Sequence, residues 1–270
     1  MSITKAIIPV AGWGTRRLPI TKAIEKCMLP VGNRPIVDYV VQDCIKAGIK
    51  DIYFVVSEGS TQLQAYYGVN QVLDEYLVVN KKEDKLPLTA PPAGINFHYI
   101  EQPSVGRYGT AVPVSLAVSY LNEGESAVVV TGDDFIFNKD GSSEVARLLE
   151  ITPENGCSML CARVDRDEVG RYGVVEMTDQ NEYVRIVEHP DPETTPSTLI
   201  NISKYVMNYE LMQTAKYVRM HSSGEYYIID AMNQYVESGG KINVLAAQGA
   251  YLDGGSVEGW LNANQVVLHS

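Results

Sequence analysis

Residues 5–30 read KAIIPVAGWGTRRLPITKAIEKCMLP, and this stretch decides the fold. Its first seven residues, Lys5 to Ala11, form a short apolar run that predicts a buried strand. Glycines follow at positions 12 and 14. Open α/β sheets bind ligands at the carboxyl ends of their strands, and the backbone N–H groups of a glycine-rich turn can approach a phosphate closely. The stretch therefore predicts a phosphate-binding loop at the end of a first strand.

The loop departs from both common phosphate-binding templates. A dinucleotide fold has a third glycine where Arg17 stands, and a P-loop has Gly-Lys-Ser/Thr shortly after its first glycine. In their place the loop carries four cations, Arg16, Arg17, Lys22 and Lys26. By spacing alone, a phosphate site and a solvated basic loop beside a tight turn both fit. The missing glycine argues against a redox enzyme.

Strand and helix patterns alternate beyond this loop. After Lys5–Ala11, the predicted strands of the first half are Ile52–Val56, Asn96–Ile100 and Ala127–Thr131. The predicted helices are Pro35–Ala47, Thr61–Tyr67 and Gly109–Leu121, and a polar stretch over 74–94 predicts a surface excursion. Strands joined by crossover helices pair in parallel, which predicts an α/β sheet with helices on both faces.

The strand patterns come closer together after Glu150. They cover Ser158–Val164, Gly173–Met177, Tyr183–Glu188 and Leu199–Met207, with helices near Glu225–Val236 and Glu258–Val267. This spacing predicts hairpins or a small antiparallel lobe added to the first sheet.

Composition excludes several classes of protein. The 270 residues hold 33 acidic and 22 basic side chains, a formal charge of −11, which argues against a basic nucleic-acid binder. No apolar run approaches the roughly 20 residues that span a bilayer, and no secretory signal is present, so we expect a cytoplasmic protein without a membrane partner. The four cysteines lack metal-site spacing, and Cys44 and Cys161 lie in apolar runs typical of a core.

The charge is unevenly distributed along the chain. Residues 1–34 carry six basic side chains and one acidic side chain, a net charge of +5, so the remaining residues carry −16. An acidic protein that gathers cations in one glycine-rich loop is suited to a small polyanion such as a nucleotide.

The segment from Gly12 to Pro30 resembles the signature of the sugar-phosphate nucleotidylyltransferases. It is most similar to the bacterial UTP–glucose-1-phosphate uridylyltransferases, whose pattern is G-x-G-T-R-x-L-P-x-T-K-x-x-P-K-E-M-L-P. The resemblance continues through Glu101-Gln102, Gly132-Asp133, Tyr172-Gly173-Val174, Glu188, Gly224-Glu225 and Leu252-Asp253-Gly254. It implies a Rossmann-like, mainly parallel mixed sheet with a small antiparallel sugar-binding lobe. It also implies one domain over 1–270, with the nucleotide part at about 1–150 and the sugar-phosphate part at about 151–270.

The resemblance implies that a phosphate oxygen of glucose 1-phosphate attacks the α-phosphorus of UTP in line and releases pyrophosphate. Such a transfer depends on positioning and on cations where charge develops. The implied catalytic residues are Arg16, Lys26 and Asp133. Asp133 and Asp253 are implied to hold Mg²⁺, a hard ion suited to one or two carboxylates plus substrate phosphates. Outside this resemblance, each aspartate fits a turn or cap residue better.

The resemblance also assigns the two substrate sites. The implied nucleotide-binding residues are Ala11, Gly12, Gly14, Thr15, Gln102, Gly106 and Gly109. Arg107 stands where a glycine is usual, so Gly106 is expected to serve after a shift of one residue. The implied sugar-phosphate-binding residues are Tyr172, Gly173, Glu188, His189 and Glu225. Glu188 could instead be a solvated strand-end carboxylate, and Glu225 a first-turn residue favoured by the helix dipole.

Three residues depart from the family pattern. Glu25 replaces a proline and Cys27 a glutamate on either side of Lys26, so we expect a looser loop there. His189 replaces a lysine, and an imidazole is cationic only in the acidic part of the physiological range. These departures leave open dTTP or another sugar 1-phosphate as substrate, and a non-catalytic binding protein. The sequence does not decide whether the chain forms a homo-oligomer.

Overall fold

A computed structural model of the chain describes residues 3–270. Its strands are β1 (Lys5–Pro9), β2 (Pro30–Val31), β3 (Arg34–Pro35), β4 (Asp51–Ser57), β5 (Asn96–Gln102), β6 (Ser126–Val130), β7 (Asp134–Phe137), β8 (Cys157–Arg163), β9 (Gly173–Met177), β10 (Tyr183–Glu188), β11 (Leu199–Asn208), β12 (Ile242–Ala246) and β13 (Ala250–Asp253). Its α-helices are α1 (Ile36–Lys46), α2 (Gln62–Tyr67), α3 (Gln71–Val79), α4 (Leu86–Thr89), α5 (Ala111–Ala117), α6 (Glu144–Ile151), α7 (Tyr209–Thr214), α8 (Ile228–Glu237) and α9 (Val257–Leu268).

Strand β1 lies at the centre of the parallel half of the main sheet. It pairs in parallel with β4 and with β6, and β5 pairs in parallel with β4. Successive residues of β1 point to opposite faces: Ala6 and Ile8 join one core cluster and Ile7 the other, all fully buried. The predicted parallel strands are confirmed, with ends shifted by one or two residues.

Helices cover both faces of this sheet. Helices α1, α6 and α9 contribute to the cluster that contains Ile8, and α5, α7 and α8 to the cluster that contains Ile7. Cys44, on α1, and Cys161, on β8, are fully buried, as predicted for core residues. The arrangement confirms the predicted Rossmann-like mixed sheet with helices on both faces. Among the helices of residues 3–270, none has the length and apolar character needed to cross a membrane.

The second half of the chain extends the same sheet with antiparallel strands. Strand β11 pairs antiparallel with β6, and both β8 and β9 pair antiparallel with β11. Strands β9 and β10 form the outer hairpin, and β12 pairs in parallel with β8. The predicted antiparallel addition is therefore confirmed.

A small second sheet places two acidic residues side by side. Strands β7 and β13 pair antiparallel with Asp134 opposite Asp253, and Gly254 N donates to the carbonyl of Asp133 at 3.1 Å. Gly132 makes the approach of this turn possible, because a Cβ there would lie 2.5 Å from Val10 Cγ1. The packing brings the end of β6 against the segment that follows β1.

Several elements differ from the sequence-based expectations. The polar stretch over 74–94 is exposed, but it includes most of α3 and all of α4; Asn70 caps α3 by accepting from Leu73 N at 3.1 Å. The helix predicted from Glu225 begins only at Ile228. The sequence patterns missed β7, β12, β13, α6 and α7. The three strands have four or five residues, too few for a clear period, whereas α6 carries a helical spacing at Val145, Leu148 and Leu149.

Asp43 on α1 provides a test of the packing between α1 and α6. Its Oδ2 accepts from Val145 N at 3.3 Å, while its Oδ1 is buried with no hydrogen-bond partner. Burial raises the pKa of this carboxyl, although Ser143 and Val145 oppose the shift. The folded state therefore binds the proton more tightly than the unfolded state. The stabilisation that comes from proton binding at Asp43 is present at acidic pH and is lost as the pH rises through the folded-state pKa.

We expect Asp43→Asn to raise Tm at pH 7 and to change it little near pH 4. Each unit by which the pKa of Asp43 is raised lowers the free energy of unfolding at neutral pH by about 1.4 kcal/mol. A change of about 1 kcal/mol moves Tm by roughly 2–4 °C in a chain of about this size. Thermal unfolding followed by circular dichroism at several pH values measures it. Asp179→Asn, in the exposed turn between β9 and β10, is the control. A Tm difference that does not depend on pH would contradict a raised pKa at Asp43.

Candidate active site

The carboxyl ends of the parallel strands surround a pocket of about 220 Å³. Segments after β1, β5 and β6 line it, together with the start of α5 and one residue that precedes α8. The lining residues are Pro9, Val10, Ala11, Gly12, Lys26, Cys27, Gln102, Tyr108, Gly109, Thr110, Pro113, Thr131, Asp133 and Glu225. The pocket lies at the sheet edge where open α/β sheets bind their ligands.

The glycine-rich loop borders the pocket through its first residues. Ala11 and Gly12 line it, and a Cβ at Gly12 would meet nothing within 4 Å, so a ligand has room to approach this backbone. Gly14 has a φ of +62° and its carbonyl accepts from Thr21 Oγ1 at 2.9 Å. Gly14 and Thr15 are not among the lining residues and instead shape the turn that follows.

The four cations of the loop have different surroundings. Lys26 lines the pocket and forms an ion pair with Asp133. Arg16 is exposed beside Gly255, where a Cβ would lie 3.3 Å from its Nη2. Arg17 is only 5% exposed and donates to the carbonyls of Gly254 and Ser256 at 3.2 and 2.6 Å.

Arg17 therefore ties the loop to the segment after β13. Its guanidinium also lies 5.1 Å from the ring centroid of Trp260, a cation–π contact. Lys22 is exposed and does not line the pocket. The structure thus brings Lys26 to the pocket, leaves Arg16 exposed beside Gly255, and buries Arg17 as a structural residue.

The two departures beside Lys26 do not leave that loop unsupported. Glu25 Oε1 accepts from Ser60 Oγ at 2.7 Å, and Glu25 N donates to Gln62 Oε1 at 3.1 Å. Gln62 also donates to the carbonyl of Ala23 at 3.0 Å. Cys27 is 2% exposed and packs in the core. Gln62 thus holds the backbone on the amino side of Lys26 and Ser60 holds the Glu25 side chain, so the loop has supports that the sequence did not indicate.

Asp133 and Asp134 are adjacent in sequence but have different environments. Burial opposes ionisation of Asp133, but the Lys26 ammonium outweighs it, so the pKa of Asp133 lies below its ordinary value. Asp134 is buried and accepts from Lys204 Nζ at 2.6 Å, from Thr131 Oγ1 at 2.9 Å and from Tyr251 Oη at 3.0 Å. Asp133 therefore faces the pocket as a carboxylate, while Asp134 anchors the strands beneath it.

Asp253 lies opposite Asp134 through the pairing of β13 with β7 and is not among the residues that line the pocket. Its Oδ1 accepts from Gly255 N at 2.7 Å and its Oδ2 from Ser256 Oγ at 2.9 Å, which fixes the carboxylate after the strand. Within the described residues 3–270, no group of three or more His, Cys, Asp or Glu side chains is placed to hold a metal ion. Two carboxylates fit a hard divalent ion only when substrate phosphates supply further oxygens.

Gln102 is the buried polar residue that remains unsatisfied in the pocket. It ends β5, is 7% exposed, and its Oε1 has no hydrogen-bond partner. An unpaired buried amide oxygen costs free energy unless a ligand donates to it. Gly106 has a φ of +113° and a Cβ there would meet open space, whereas Arg107 has no such backbone strain. The positive φ that favours glycine is thus found at Gly106, one residue before Arg107, where the family pattern has its glycine.

Gly109 serves a different purpose from Gly106. Its φ is +121°, and a Cβ would lie 2.4 Å from the carbonyl oxygen of Tyr226. Glycine is therefore required for the close approach of two backbone segments at the pocket. The sequence does not indicate the part played by Tyr226, because its backbone pairs with residues more than 100 positions away.

The predicted sugar-phosphate residues divide into two groups. Glu225 lines the pocket, and because it precedes α8 by three residues it is not a first-turn residue of that helix. Gly173 and Glu188 face each other between β9 and β10, where a Cβ on Gly173 would lie 2.9 Å from Glu188 Oε1. Tyr172 and His189 flank this pair, outside the lining of the pocket.

His189 is held against the turn that precedes β9. Its φ is +48°, its N donates to the carbonyl of Tyr172 at 3.0 Å, and its Nδ1 lies 3.1 Å from the carbonyl oxygen of Gly170. A carbonyl only accepts, so Nδ1 is the protonated nitrogen and Nε2 is left for another partner.

The fold and the pocket together define a class of enzyme. The family model for nucleotidyl transferases matches residues 5–270, so the chain belongs to the nucleotidyl transferase family. Its relatives include the UTP–glucose-1-phosphate uridylyltransferase of Pseudomonas aeruginosa. The two sequences are 30% identical in an alignment 274 positions long, gaps included, which covers 97% of this chain and 94% of that protein. A Methanocaldococcus jannaschii protein, provisionally named UTP–glucose-1-phosphate uridylyltransferase, is 35% identical over 97% of this chain and 92% of that protein.

Solved structures agree with these relatives. The UTP-bound UGPase of Acinetobacter baumannii superposes with a TM-score of 0.87 and 26% identity, over 98% of this chain and 93% of that one. The resemblance carried by the glycine-rich loop is thereby confirmed for the whole length of the chain.

We expect the two adjacent aspartates to respond differently to substitution. Asp134→Ala leaves the Lys204 ammonium buried without its partner and should lower the free energy of unfolding by about 3–5 kcal/mol. Asp133→Ala removes a pocket-facing carboxylate and should leave the fold in place. Urea denaturation of both variants measures the difference. Equal losses of stability would show that Asp133 also supports the fold.

Proposed function

We propose that this protein transfers the uridylyl group of UTP to glucose 1-phosphate, giving UDP-glucose and pyrophosphate. The observation that carries the proposal is the pairing, in one pocket, of the unsatisfied Gln102 amide with the Lys26–Asp133 ion pair. One end suits a base and the other suits reacting phosphates. The uridylyltransferases among the relatives support the same substrates.

Gln102 suits the hydrogen-bonding edge of uracil. Its free Oε1 accepts from the imide N–H, and its Nε2 donates to a neighbouring carbonyl of the ring. Thymine presents the same edge and adds only a methyl group. The hydrogen bonds of Gln102 therefore suit UTP and dTTP alike, and dTTP is the second candidate.

The phosphate chemistry requires no covalent intermediate with the protein. An oxygen of the sugar phosphate forms a new bond to the α-phosphorus, and the bond to the bridging oxygen of the departing pyrophosphate breaks. Lys26, which lines the pocket, would neutralise the reacting phosphates, and the exposed Arg16 would approach the pyrophosphate. The open backbone at Gly12 offers N–H groups to the triphosphate.

Asp133 and Asp253 would hold Mg²⁺ together with the substrate. The ion would supply positive charge to the phosphate oxygens and the leaving group. The Lys26 ammonium lowers the pKa of Asp133, which favours the carboxylate form that a cation would bind.

The sugar phosphate would lie between Glu225 and the Gly173–Glu188 pair. Carboxylates at these positions would accept hydrogen bonds from sugar hydroxyls. A Cβ on Gly173 would collide with Glu188, so the glycine leaves room for that carboxylate. His189 would contribute through Nε2, because Nδ1 is occupied by Gly170. Residues 1–150 would then bind mainly the nucleotide and residues 151–270 mainly the sugar.

The decisive assay is pyrophosphate release from UTP, glucose 1-phosphate and Mg²⁺. We expect turnover by the wild type and a loss of at least about 100-fold in Asp133→Ala, because the Mg²⁺ that would stabilise transition-state charge loses a ligand. A matrix of UTP and dTTP against several sugar 1-phosphates identifies the preferred pair. UTP binding without any release would instead identify a non-catalytic binding protein.

We further expect Gln102→Leu to weaken UTP binding by about 10- to 100-fold, since the variant loses the two hydrogen bonds to the base. Isothermal titration calorimetry with UTP and Mg²⁺ measures the Kd. Gln180→Leu, an exposed glutamine in the turn between β9 and β10, should leave the Kd unchanged. An unaltered Kd in Gln102→Leu would place the base elsewhere.

A further inference from the structure

The loop after Gln102 is attached to the segment that precedes α8. Tyr226 N donates to the carbonyl of Tyr108 at 2.9 Å, and the carbonyl of Tyr226 accepts from Ala111 N at 2.9 Å. Thr110 Oγ1 accepts from Ile228 N at 3.0 Å. Gly109 permits this close approach. Residues 103–111, which follow the proposed base contact, are thus joined to residues 216–228, which include the proposed sugar contact Glu225.

Arg107 holds the same two segments together from the outside. Its guanidinium carbon lies 4.1 Å from the ring centroid of Tyr226, and its Nη1 donates to the carbonyl of Lys216 at 2.9 Å. Arg107 therefore contacts residues 216–228 near both ends of that segment. The guanidinium makes no ion pair within residues 3–270, so its two contacts are to a ring and to a carbonyl.

Glu225 has a defined position only through this segment. Its carbonyl accepts from His221 N at 2.8 Å, closing the turn that carries it, and the next residue, Tyr226, makes the contacts to Arg107 and Tyr108. The carboxylate of Glu225 takes part in no ion pair among the described residues. Its placement at the pocket thus depends on the loop that Gln102 begins.

We propose that Arg107 is a positioning residue that couples the nucleotide site to the sugar-phosphate site through Tyr226 and Glu225. The inference rests on the proposed function. A base that binds Gln102 fixes the loop over 103–111, and Arg107 passes that order to the segment that carries Glu225. Coupling between two sites is reciprocal, so each substrate strengthens the binding of the other.

The chemistry of this contact favours arginine over lysine. A planar guanidinium stacks on a ring and donates along its edge at the same time, whereas an ammonium on a flexible stem serves as a single point charge. Arg107→Lys should therefore keep the charge and recover only part of the coupling. Arg107→Met keeps a long apolar side chain and removes both contacts.

The experiment compares wild type, Arg107→Met and Arg107→Lys. At equilibrium, titration calorimetry gives the Kd of UDP, which fills the nucleotide side, and of UDP-glucose, which fills both sides. In steady-state assays, KM for glucose 1-phosphate and kcat are measured at saturating UTP. The control is Arg219→Met, an exposed arginine within residues 216–228 that loses the same charge.

We expect Arg107→Met to raise KM for glucose 1-phosphate about 5-fold or more, within the usual range of coupling between sites. The Kd of UDP should change less than about 2-fold, so the preference for UDP-glucose over UDP should shrink by the same factor as KM rises. Arg107→Lys should fall between Arg107→Met and wild type, and Arg219→Met should match wild type.

Two results would overturn the inference. If UDP and UDP-glucose weaken equally, Arg107 acts at the nucleotide site alone; if neither changes, it couples nothing. Arg107→Lys decides the question if Arg107→Met fails to fold. The ratio of the Kd of UDP to the Kd of UDP-glucose is measured without turnover, so it tests the coupling even if the enzyme is inactive. An inactive wild type would contradict the proposed function alone. An active wild type whose ratio is unchanged in Arg107→Met would reject the coupling alone.

Discussion

The parallel pairing of β1 with both β4 and β6 is the constraint on which the rest of the structure depends. Parallel strands end at one edge of a sheet, so the segments after Pro9, Gln102 and Val130 must meet there. The apolar residues of β1, β4 and β6 are buried on both faces, which opposes any shift of their register. The glycine-rich loop, Gln102 and Asp133 are therefore neighbours as a direct result of strand order.

Charge is used differently within a few residues of this edge. Lys26 and Asp133 face each other at the pocket, where substrate and metal would exchange for these partners. Lys204 and Asp134 form the corresponding pair in the interior, satisfied by Thr131 and Tyr251. Arg17 is a third solution, a buried cation that binds carbonyl oxygens and a ring. The cations of the loop thus divide between chemistry and architecture, which bulk charge alone does not reveal.

Local sequence patterns were sufficient for much of the fold. The strands from Lys5 and Ile52 are continuous apolar runs, and α1 has a helical spacing that ends before Gly48, whose φ is +88°. The patterns failed for β7 and β13, because their four residues each acquire order only by pairing with one another. They also placed the start of α8 three residues early, since the contacts of Tyr226 to the loop after β5 hold that segment outside the helix.

The candidate site was predicted to a similar extent. The family motif identified Lys26, Gln102, Asp133 and Glu225, all of which line one pocket. It did not identify the bracing of Glu25 by Ser60 and Gln62, nor the two contacts of Arg107, because these replace the family residues with side chains whose partners lie far away in the chain. Such compensating pairs become visible only when distant segments are placed side by side.

Strand β11 has a mechanical consequence for substrate entry. It pairs with β8 along one edge and with β6 and β9 along the other, so the parallel strands of the first half and the β9–β10 hairpin are bonded to one and the same strand. Two halves that share a strand have no linker about which to swing, and rotating one against the other would break backbone hydrogen bonds of that strand. Opening and closing of the pocket therefore costs less free energy by movement of its connecting loops than by movement of its sheet, because fewer backbone hydrogen bonds break.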